Sequence, residues 1–273
     1  MRTRTSPEVL YRYQPVRPDA IDLIKRARLW FSDPARFNDP FDILPSFHQE
    51  AQRYRQVLDE DREREYWQNP SISGSRTGFL SSTEGLLNAQ VAKLVRRDQR
   101  QFKRDLCKAF RVTCFSAISN HLLMWSHYAN GHRGICFGLR PSHIPVTPEQ
   151  GYRWKIAYRS NRSANQPRNA PIIALSKSKE WRYEREWRIL MAKEDLQGGR
   201  RPIFQGSRRT TEQGHFLALP WSAFESVRFG AEIEPKDKAR ILKLLSSPER
   251  SRIRIIQMHL SYSKYCLEEE ILR

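Results

Sequence analysis

The feature that most limits how this chain can fold is the alternation of charged and hydrophobic side chains along residues 183–190. If this segment forms a β-strand, alternate side chains share one face of the sheet at a spacing of about 7 Å. Glu184, Glu186 and Arg188 would then line one face, and Tyr183, Trp187 and Ile189 would pack on the other. A helix would instead make Glu184 and Arg188 an ordinary surface pair. We expect the strand, after a helical turn over 178–182, and its acidic face could stabilise positive charge.

Other segments rich in β-branched and aromatic residues recur along the chain between turn-forming residues, and this pattern predicts strands. Helical patterns fall among them at 20–26, with Asp19 as the candidate N-cap, and at 121–129 and 235–245. Strands and helices mixed in this way predict an α+β fold with a mostly antiparallel sheet. The further predicted strands lie at 8–16, 29–32, 111–116, 134–139, 152–158, 215–219, 225–229 and 252–260.

Residues 47–110 differ from the rest because charged residues and Gln become frequent and strand-forming residues become rare. They predict two helices, at 48–67 and 86–109, joined by a Ser/Gly/Thr-containing loop at 71–84. The basic residues of the second helix either form a solvated face or contact phosphates. We therefore predict one domain over 1–273, interrupted by this helical insertion.

The charge balance points to a polyanionic partner. The chain has 48 Lys and Arg against 30 Asp and Glu, a net charge of +18. Such a field attracts DNA or RNA, although a merely basic protein is the simpler alternative. Two polar basic segments, at 159–168 and 198–214, suit the same partner.

Several function classes find no support in the sequence. No run of roughly 18 apolar residues predicts a membrane span, and the N-terminus has no signal-peptide core. The four cysteines contain no CxxC pair, which favours reduced thiols in the cytoplasm and no metal site. His121, His127 and His132 lack carboxylates or cysteines at metal-ligand spacing.

A turn-rich loop at 33–42 carries a second group of candidate residues. Asn38 and Asp39 precede Pro40, a context in which Asx turns are common. A self-bonded loop is the structural interpretation, and a ligand role for Asp39 or Asp42 is the alternative.

Five motifs follow one another along the chain, and they are Phe37-Asn-Asp-Pro-Phe-Asp42, Cys114-Phe-Ser116, Met124-Trp-Ser-His-Tyr128, Gly134-Ile-Cys-Phe-Gly138 and Trp181-Arg-Tyr-Glu-Arg-Glu-Trp-Arg188. Together they resemble a widespread bacterial family, domain of unknown function 2971. The resemblance covers nearly the whole chain and implies no activity.

The order of elements also resembles that of the ADP-ribosyltransferases, whose motifs lie on a split antiparallel sheet. Arg12, before the helix at 20–26, is similar to the Arg or His of that family's opening strand. Ser116 ends a strand before a helix and is similar to its hydroxyl motif. Glu184 and Glu186 are similar to its Glu-x-Glu motif. The resemblance implies NAD as the substrate and a split sheet in this chain.

The same resemblance suggests roles for the two glutamates. Cleavage of the nicotinamide–ribose bond passes through an oxocarbenium-like state, which a fixed carboxylate stabilises more than the ground state. Glu186 would have this role and would hydrogen-bond a ribose hydroxyl. Glu184 would orient or deprotonate the acceptor.

Four residues would bind the dinucleotide. Arg12 would hold the pyrophosphate, because its planar fork of donors matches phosphate oxygens. Ser116 would orient the ribose or Arg12, and Tyr128 or Trp125 would stack on nicotinamide. The alternative for Arg12 is a structural ion pair with one of the glutamates.

Three functions follow as hypotheses. The first is NAD-dependent ADP-ribosyl transfer to nucleic acid or protein in a bacterial defence or toxin setting. The second is a noncatalytic nucleic-acid-binding protein, in which binding falls steeply with salt. The third is a nuclease that holds Mg²⁺ with Asp39, Asp42, Glu184 and Glu186.

Overall fold

The computed structural model describes residues 7–146, 151–165, 170–192 and 214–273. The basic segment predicted at 198–214 therefore lies almost entirely outside the described residues. The strands of the described chain are β1 (Leu10–Gln14), β2 (Arg28–Ser32), β3 (Phe110–Ser116), β4 (Ile135–Leu139), β5 (Gly151–Lys155), β6 (Ala157–Arg159), β7 (Ser176–Ser178), β8 (Glu186–Ala192), β9 (Gly214–Ala218), β10 (Phe224–Phe229), β11 (Arg254–Leu260) and β12 (Leu267–Ile271).

The helices lie mostly between strands, and the two longest follow one another directly. Within the described ranges, no helix combines the length and the apolar composition that a membrane span requires. The α-helices are α1 (Pro18–Arg26), α2 (His48–Gln68), α3 (Arg76–Ala109), α4 (Leu122–Tyr128), α5 (Ala170–Ala174) and α6 (Pro235–Leu245).

Strand β3 is the place where the main sheet divides. One edge of β3 pairs along its whole length with β8, which continues to β5. The other edge meets two strands, β1 at Ser116 and β2 at Val112. From β1 the sheet runs through β4, β10, β11 and β12, whereas β2 leads to β9. Pairing in this sheet is antiparallel except between β10 and β11, so the predicted α+β fold with a split, mostly antiparallel sheet is confirmed.

Hydrophobic packing covers both faces of the divided sheet. On one face α1 and α6 bury apolar side chains, among them Leu23 and Ile241, against the strands. On the other face α4 buries Met124 and Trp125 against Tyr13 and the β11–β12 hairpin. Helix α1 follows the usual amphipathic rule, because its apolar residues recur on one side.

The helical insertion forms a hairpin of α2 and α3 between β2 and β3. Helix α3 begins at Arg76, ten residues earlier than predicted, because the Ser75 hydroxyl accepts from the Gly78 backbone N–H and caps it. Most of the predicted loop at 71–84 is therefore helical. Helix α2 buries no residue, which fits its high content of charged side chains.

The strand predicted at 183–190 was placed three residues too early. Residues Lys179–Glu184 form a 3-10 helix, and Arg185 adopts a left-handed conformation with φ of 45° and ψ of 47°. This conformation interrupts extended backbone, so β8 begins only at Glu186. Within β8 the alternation holds, since Trp187 and Ile189 pack in the core.

Other boundaries also differ from the prediction. The strand predicted at 152–158 is divided between β5 and β6, which belong to different sheets. Asp19 does not cap α1, because its carboxylate accepts from the Gln14 side chain at 2.9 Å instead. Strand β12 was not predicted, since three successive glutamates are a weak strand signal.

Candidate functional site

A cavity of about 210 Å³ lies where the sheet divides, between β1 and the end of β8 near Glu186. Strands β1 and β3 supply one wall, and the loop after β2, α4 and β7 supply the others. The lining residues are Tyr11, Arg12, Tyr13, Ser32, Phe37, Asn38, Asp42, Val112, Cys114, Phe115, Met124, Tyr128, Lys177, Glu184 and Glu186.

Lys177 is the centre of a buried charge cluster on one side of this cavity. Its Nζ atom lies 2.6 Å from Glu184 Oε2, 3.4 Å from Glu186 Oε2 and 3.7 Å from Asp42 Oδ2. Because β7 alternates, Lys177 points inward while its serine neighbours remain partly exposed. Its methylene chain leads to an ammonium group 4.8 Å from the Trp181 ring centroid. A single side chain thus links three carboxylates from two distant parts of the chain.

Arg188 is the second cation of the cluster and has no solvent-exposed surface. Its Nε and Nη2 donate to the two oxygens of Glu186 at 2.7 and 3.1 Å. Nη2 also donates to Asp42 Oδ2 at 2.6 Å, and Nη1 donates to the Ala174 carbonyl at 3.0 Å. A planar guanidinium suits this arrangement, because its donors form a fixed fork.

The 3-10 turn before β8 brings Glu184 to the same cluster as Glu186. The Ser116 hydroxyl donates to the Glu184 carbonyl at 2.6 Å and fixes this turn. The Tyr128 hydroxyl donates to Glu184 Oε1 at 2.5 Å. The two glutamates therefore converge through a turn held by Ser116, not through the alternation of one strand.

The three carboxylates differ in acidity. Burial alone would raise the pKa of Glu186, but Arg188 and Lys177 outweigh burial and lower this pKa to about 2. Burial raises the pKa of Glu184 above its usual value, and Lys177 offsets only part of this effect. Burial likewise raises the pKa of Asp42, which Arg188 opposes. Two neighbouring carboxyl groups with pKa values pushed apart are typical of acid–base sites.

Arg12 lines the same cavity and lacks a carboxylate partner in the described part of the chain. Its Nη1 donates to Thr113 Oγ1 at 2.6 Å and to the Cys114 carbonyl at 3.3 Å. Cys114 lies on the edge of β3 that pairs with β1 at Ser116 and with β2 at Val112, so its carbonyl is at the division of the sheet. Its Nε is buried without a hydrogen-bond partner. The alternative that Arg12 forms a structural ion pair with Glu184 or Glu186 is therefore wrong.

Residues 124–189 match the family model for a protein of unknown function, DUF2971. The match runs from α4 to the middle of β8 and includes Tyr128, Lys177, Glu184, Glu186 and Arg188. It supports the resemblance to the DUF2971 family over this range, whereas the motifs at 37–42 and 114–116 lie outside it. No curated protein and no solved structure shows significant similarity to the chain. The resemblance to ADP-ribosyltransferases stays a prediction.

Four of the six predicted site residues line the cavity, namely Arg12, Tyr128, Glu184 and Glu186. Ser116 lies behind it, where its hydroxyl donates to the Glu184 carbonyl and accepts from the Ile118 N–H.

Trp125 is fully buried, and its indole N–H donates to the Ser119 carbonyl at 2.9 Å. Edge-on packing against Tyr13 completes its surroundings. The expected stacking of Trp125 on nicotinamide is therefore corrected to a core role, because its ring does not line the cavity.

The loop at 33–42 contributes one structural residue, Asp39, and one site residue, Asp42. Asp39 Oδ1 accepts from the Phe41 N–H at 2.8 Å, which is the predicted Asx turn. Asp42 instead joins the charge cluster. In the described chain no group of His, Cys, Asp and Glu side chains is placed to hold a metal ion. The ammonium of Lys177 lies between three of the four carboxylates that the nuclease hypothesis required, namely Asp42, Glu184 and Glu186.

Lys177 was not predicted as a site residue. The Ser-Lys-Ser-Lys alternation at 176–179 is the sequence signal that could have indicated it. A basic residue between two serines, just before an acidic segment, is consistent with one inward-facing cation on a short strand.

Glu186 also predicts a pH dependence of stability. Its pKa is lowered from 4.5 to about 2, so its contribution is present above about pH 4.5 and is lost as the pH falls towards 2. Asp42 and Glu184 act with the opposite sign, because raised pKa values favour folding at low pH. We therefore compare the wild type with Glu186→Gln, which removes this carboxylate alone.

The free energy of unfolding should differ between the two by on the order of 3 kcal/mol near neutral pH, and less at about pH 3. Urea unfolding at several pH values measures it. The exposed Glu180→Gln control should change little throughout. A difference that stays constant down to about pH 2 would contradict the assignment.

Proposed function

We propose that this protein transfers ADP-ribose from NAD to water or to a nucleophilic acceptor. One observation supports the proposal most: a single cavity joins the unpaired guanidinium of Arg12 to Glu184 and Glu186, whose pKa values are pushed apart. A ligand that is anionic at one end and becomes cationic at the other would place its anionic end on Arg12 and its cationic end near the two glutamates.

The charge of the cluster favours such a ligand. Asp42, Glu184 and Glu186 provide three carboxylates against the two cations Lys177 and Arg188. When all five are ionised, the cluster carries one net negative charge. Arg12 lines the same cavity, is partly buried and forms no ion pair with a described residue, so binding of an anion would compensate its charge.

The reaction begins with the bond between ribose C1′ and the nicotinamide nitrogen. As this bond breaks, its electron pair leaves with nicotinamide and C1′ becomes oxocarbenium-like. Glu186, buried and held ionised by Arg188 and Lys177, stabilises this charge.

The acceptor oxygen then bonds to C1′ and its proton passes to Glu184. The raised pKa of Glu184 makes it a stronger proton acceptor than an exposed carboxylate. With water as acceptor, the products are ADP-ribose, nicotinamide and a proton. Arg12 would bind the pyrophosphate, and the ring of Tyr128 would flank the nicotinamide.

The direct test is incubation of the purified full chain with NAD, with nicotinamide quantified by chromatography. We expect release above the buffer blank, with water or with added DNA, RNA or protein. Absence of release under all these conditions, together with no binding of ADP-ribose, would contradict the proposal.

The net charge of +18 favours a second candidate, a noncatalytic nucleic-acid-binding protein. Its affinity would fall steeply with salt and would be unchanged in Glu186→Gln. Nucleic-acid binding without any nicotinamide release would favour this candidate.

A further inference from the structure

A second cavity, of about 240 Å³, adjoins the first. Lys177 lines both cavities, and its ammonium group contacts the carboxylates of the first. Its walls come from the loop after β2, from the segment after β6, and from α5 and β7. The lining residues are Phe41, Leu44, Arg159, Ser160, Asn161, Arg162, Ser163, Ile173, Ser176, Lys177 and Ser178.

The composition of this second cavity suits a nucleotide. Its apolar floor combines Leu44 and Ile173 with Phe41, whose side chain is 60% exposed. The Arg162 guanidinium lies 5.4 Å from the Phe41 ring centroid and donates to the Pro45 carbonyl at 3.2 Å. Arg159 is exposed and forms no ion pair with a described residue. None of the described lining residues is acidic.

Each of these groups matches one part of a nucleotide. An exposed aromatic ring offers a surface on which a base stacks, and arginines and serine hydroxyls bind phosphate oxygens. A concave site accepts a base only when that base is free of its duplex partner. The net charge of +18 would attract nucleic acid to the protein, and the basic residues of this cavity would hold it there.

We propose that the second cavity holds one unpaired nucleotide of single-stranded nucleic acid, stacked on Phe41 with its phosphates on Arg159 and Arg162. Its role as the acceptor of ADP-ribose rests on the proposed function. Binding itself does not, because it requires no NAD. The common position of Lys177 would set the bound nucleotide next to Glu184.

The test is fluorescence anisotropy of labelled 12-nucleotide oligo-dT and oligo-U, titrated with the full chain at several salt concentrations. Phe41→Leu keeps an apolar side chain but removes the stacking face, so affinity should fall about tenfold. For Arg159→Gln combined with Arg162→Gln, the slope of log affinity against log salt should become shallower by about 0.7 per lost phosphate contact. Arg159→Gln alone tests the same point without disturbing the Pro45 contact.

The control removes two exposed arginines far along the chain, by Arg240→Gln combined with Arg252→Gln. It matches the charge change of the double variant, and we expect a smaller loss of affinity from it. Equal losses in both double variants would show attraction by net charge only and overturn the proposal. Wild-type affinity in Phe41→Leu, or tighter binding of duplex than of single strands, would overturn it as well. Nicotinamide release, measured separately without nucleic acid, reports on the proposed function, so the two can fail independently.

Discussion

Glu186→Gln should lower the rate of nicotinamide release from NAD by about a hundredfold or more. The substitution removes the charge that stabilises the oxocarbenium-like state, and losses of this size are typical of electrostatic groups in closed sites. Since the charge acts in the transition state, kcat should fall and KM should change little. Glu184→Gln should also lower kcat, because it removes the proton acceptor.

Both glutamates are buried, so a loss of activity must be separated from a loss of fold. Thermal unfolding of each variant sets a temperature at which it remains folded, and the kinetics are compared there. Glu180→Gln changes an exposed glutamate of the same segment and should keep the wild-type rate. A folded Glu186→Gln protein with a wild-type kcat would rule out the proposed role of Glu186.

Arg188→Met should destabilise the protein by about 3–5 kcal/mol, the largest stability change that we expect from one substitution. Arg188 is fully buried and holds both Glu186 and Asp42 by short hydrogen bonds. Methionine fills much of the volume but leaves two buried carboxylates with only Lys177 nearby. The cost arises from these uncompensated charges, and urea unfolding at neutral pH measures it.

A matched control is Arg182→Met, which changes an exposed arginine of the preceding 3-10 turn. Its effect should stay within about 0.5 kcal/mol. Combining Arg188→Met with Glu186→Gln and Asp42→Asn should recover part of the loss, because no unpaired carboxylate of this group remains. If Arg188→Met cost no more than the control, the cluster would not have the energetic role described here.

Local patterns allowed much of the sheet to be predicted. Strands β3, β4, β10 and β11 have strong β-forming sequences bounded by turn residues, and the structure has them close to the predicted positions. The convergence of Arg12 on the glutamates could be predicted only through a resemblance, because nothing local links residues so far apart. The structure explains it by the division of the sheet at β3.

The other site residues could not be placed from the sequence, because their positions depend on contacts that sequence periodicity does not encode. Arg185 adopts a left-handed conformation that its residue type rarely favours, so alternation misplaced the start of β8. Lys177 meets Glu186 from a separate short strand. Trp125 lies three residues before the candidate Tyr128 but packs in the core, whereas Met124 and Tyr128, four residues apart on the helix, line the cavity.

In the proposed function, Arg12 binds the anionic end of a ligand whose other end contacts Glu184 and Glu186. Isothermal titration of ADP-ribose into the wild type and Arg12→Met tests it, with exposed Arg17→Met as the control. We expect affinity to fall at least about tenfold in Arg12→Met, while its unfolding temperature changes little, because the lost hydrogen bonds to Thr113 and Cys114 are offset by removal of a partly buried cation that pairs with no described carboxylate. Equal affinity in the wild type and a folded Arg12→Met, or no binding by the wild type, would contradict the account.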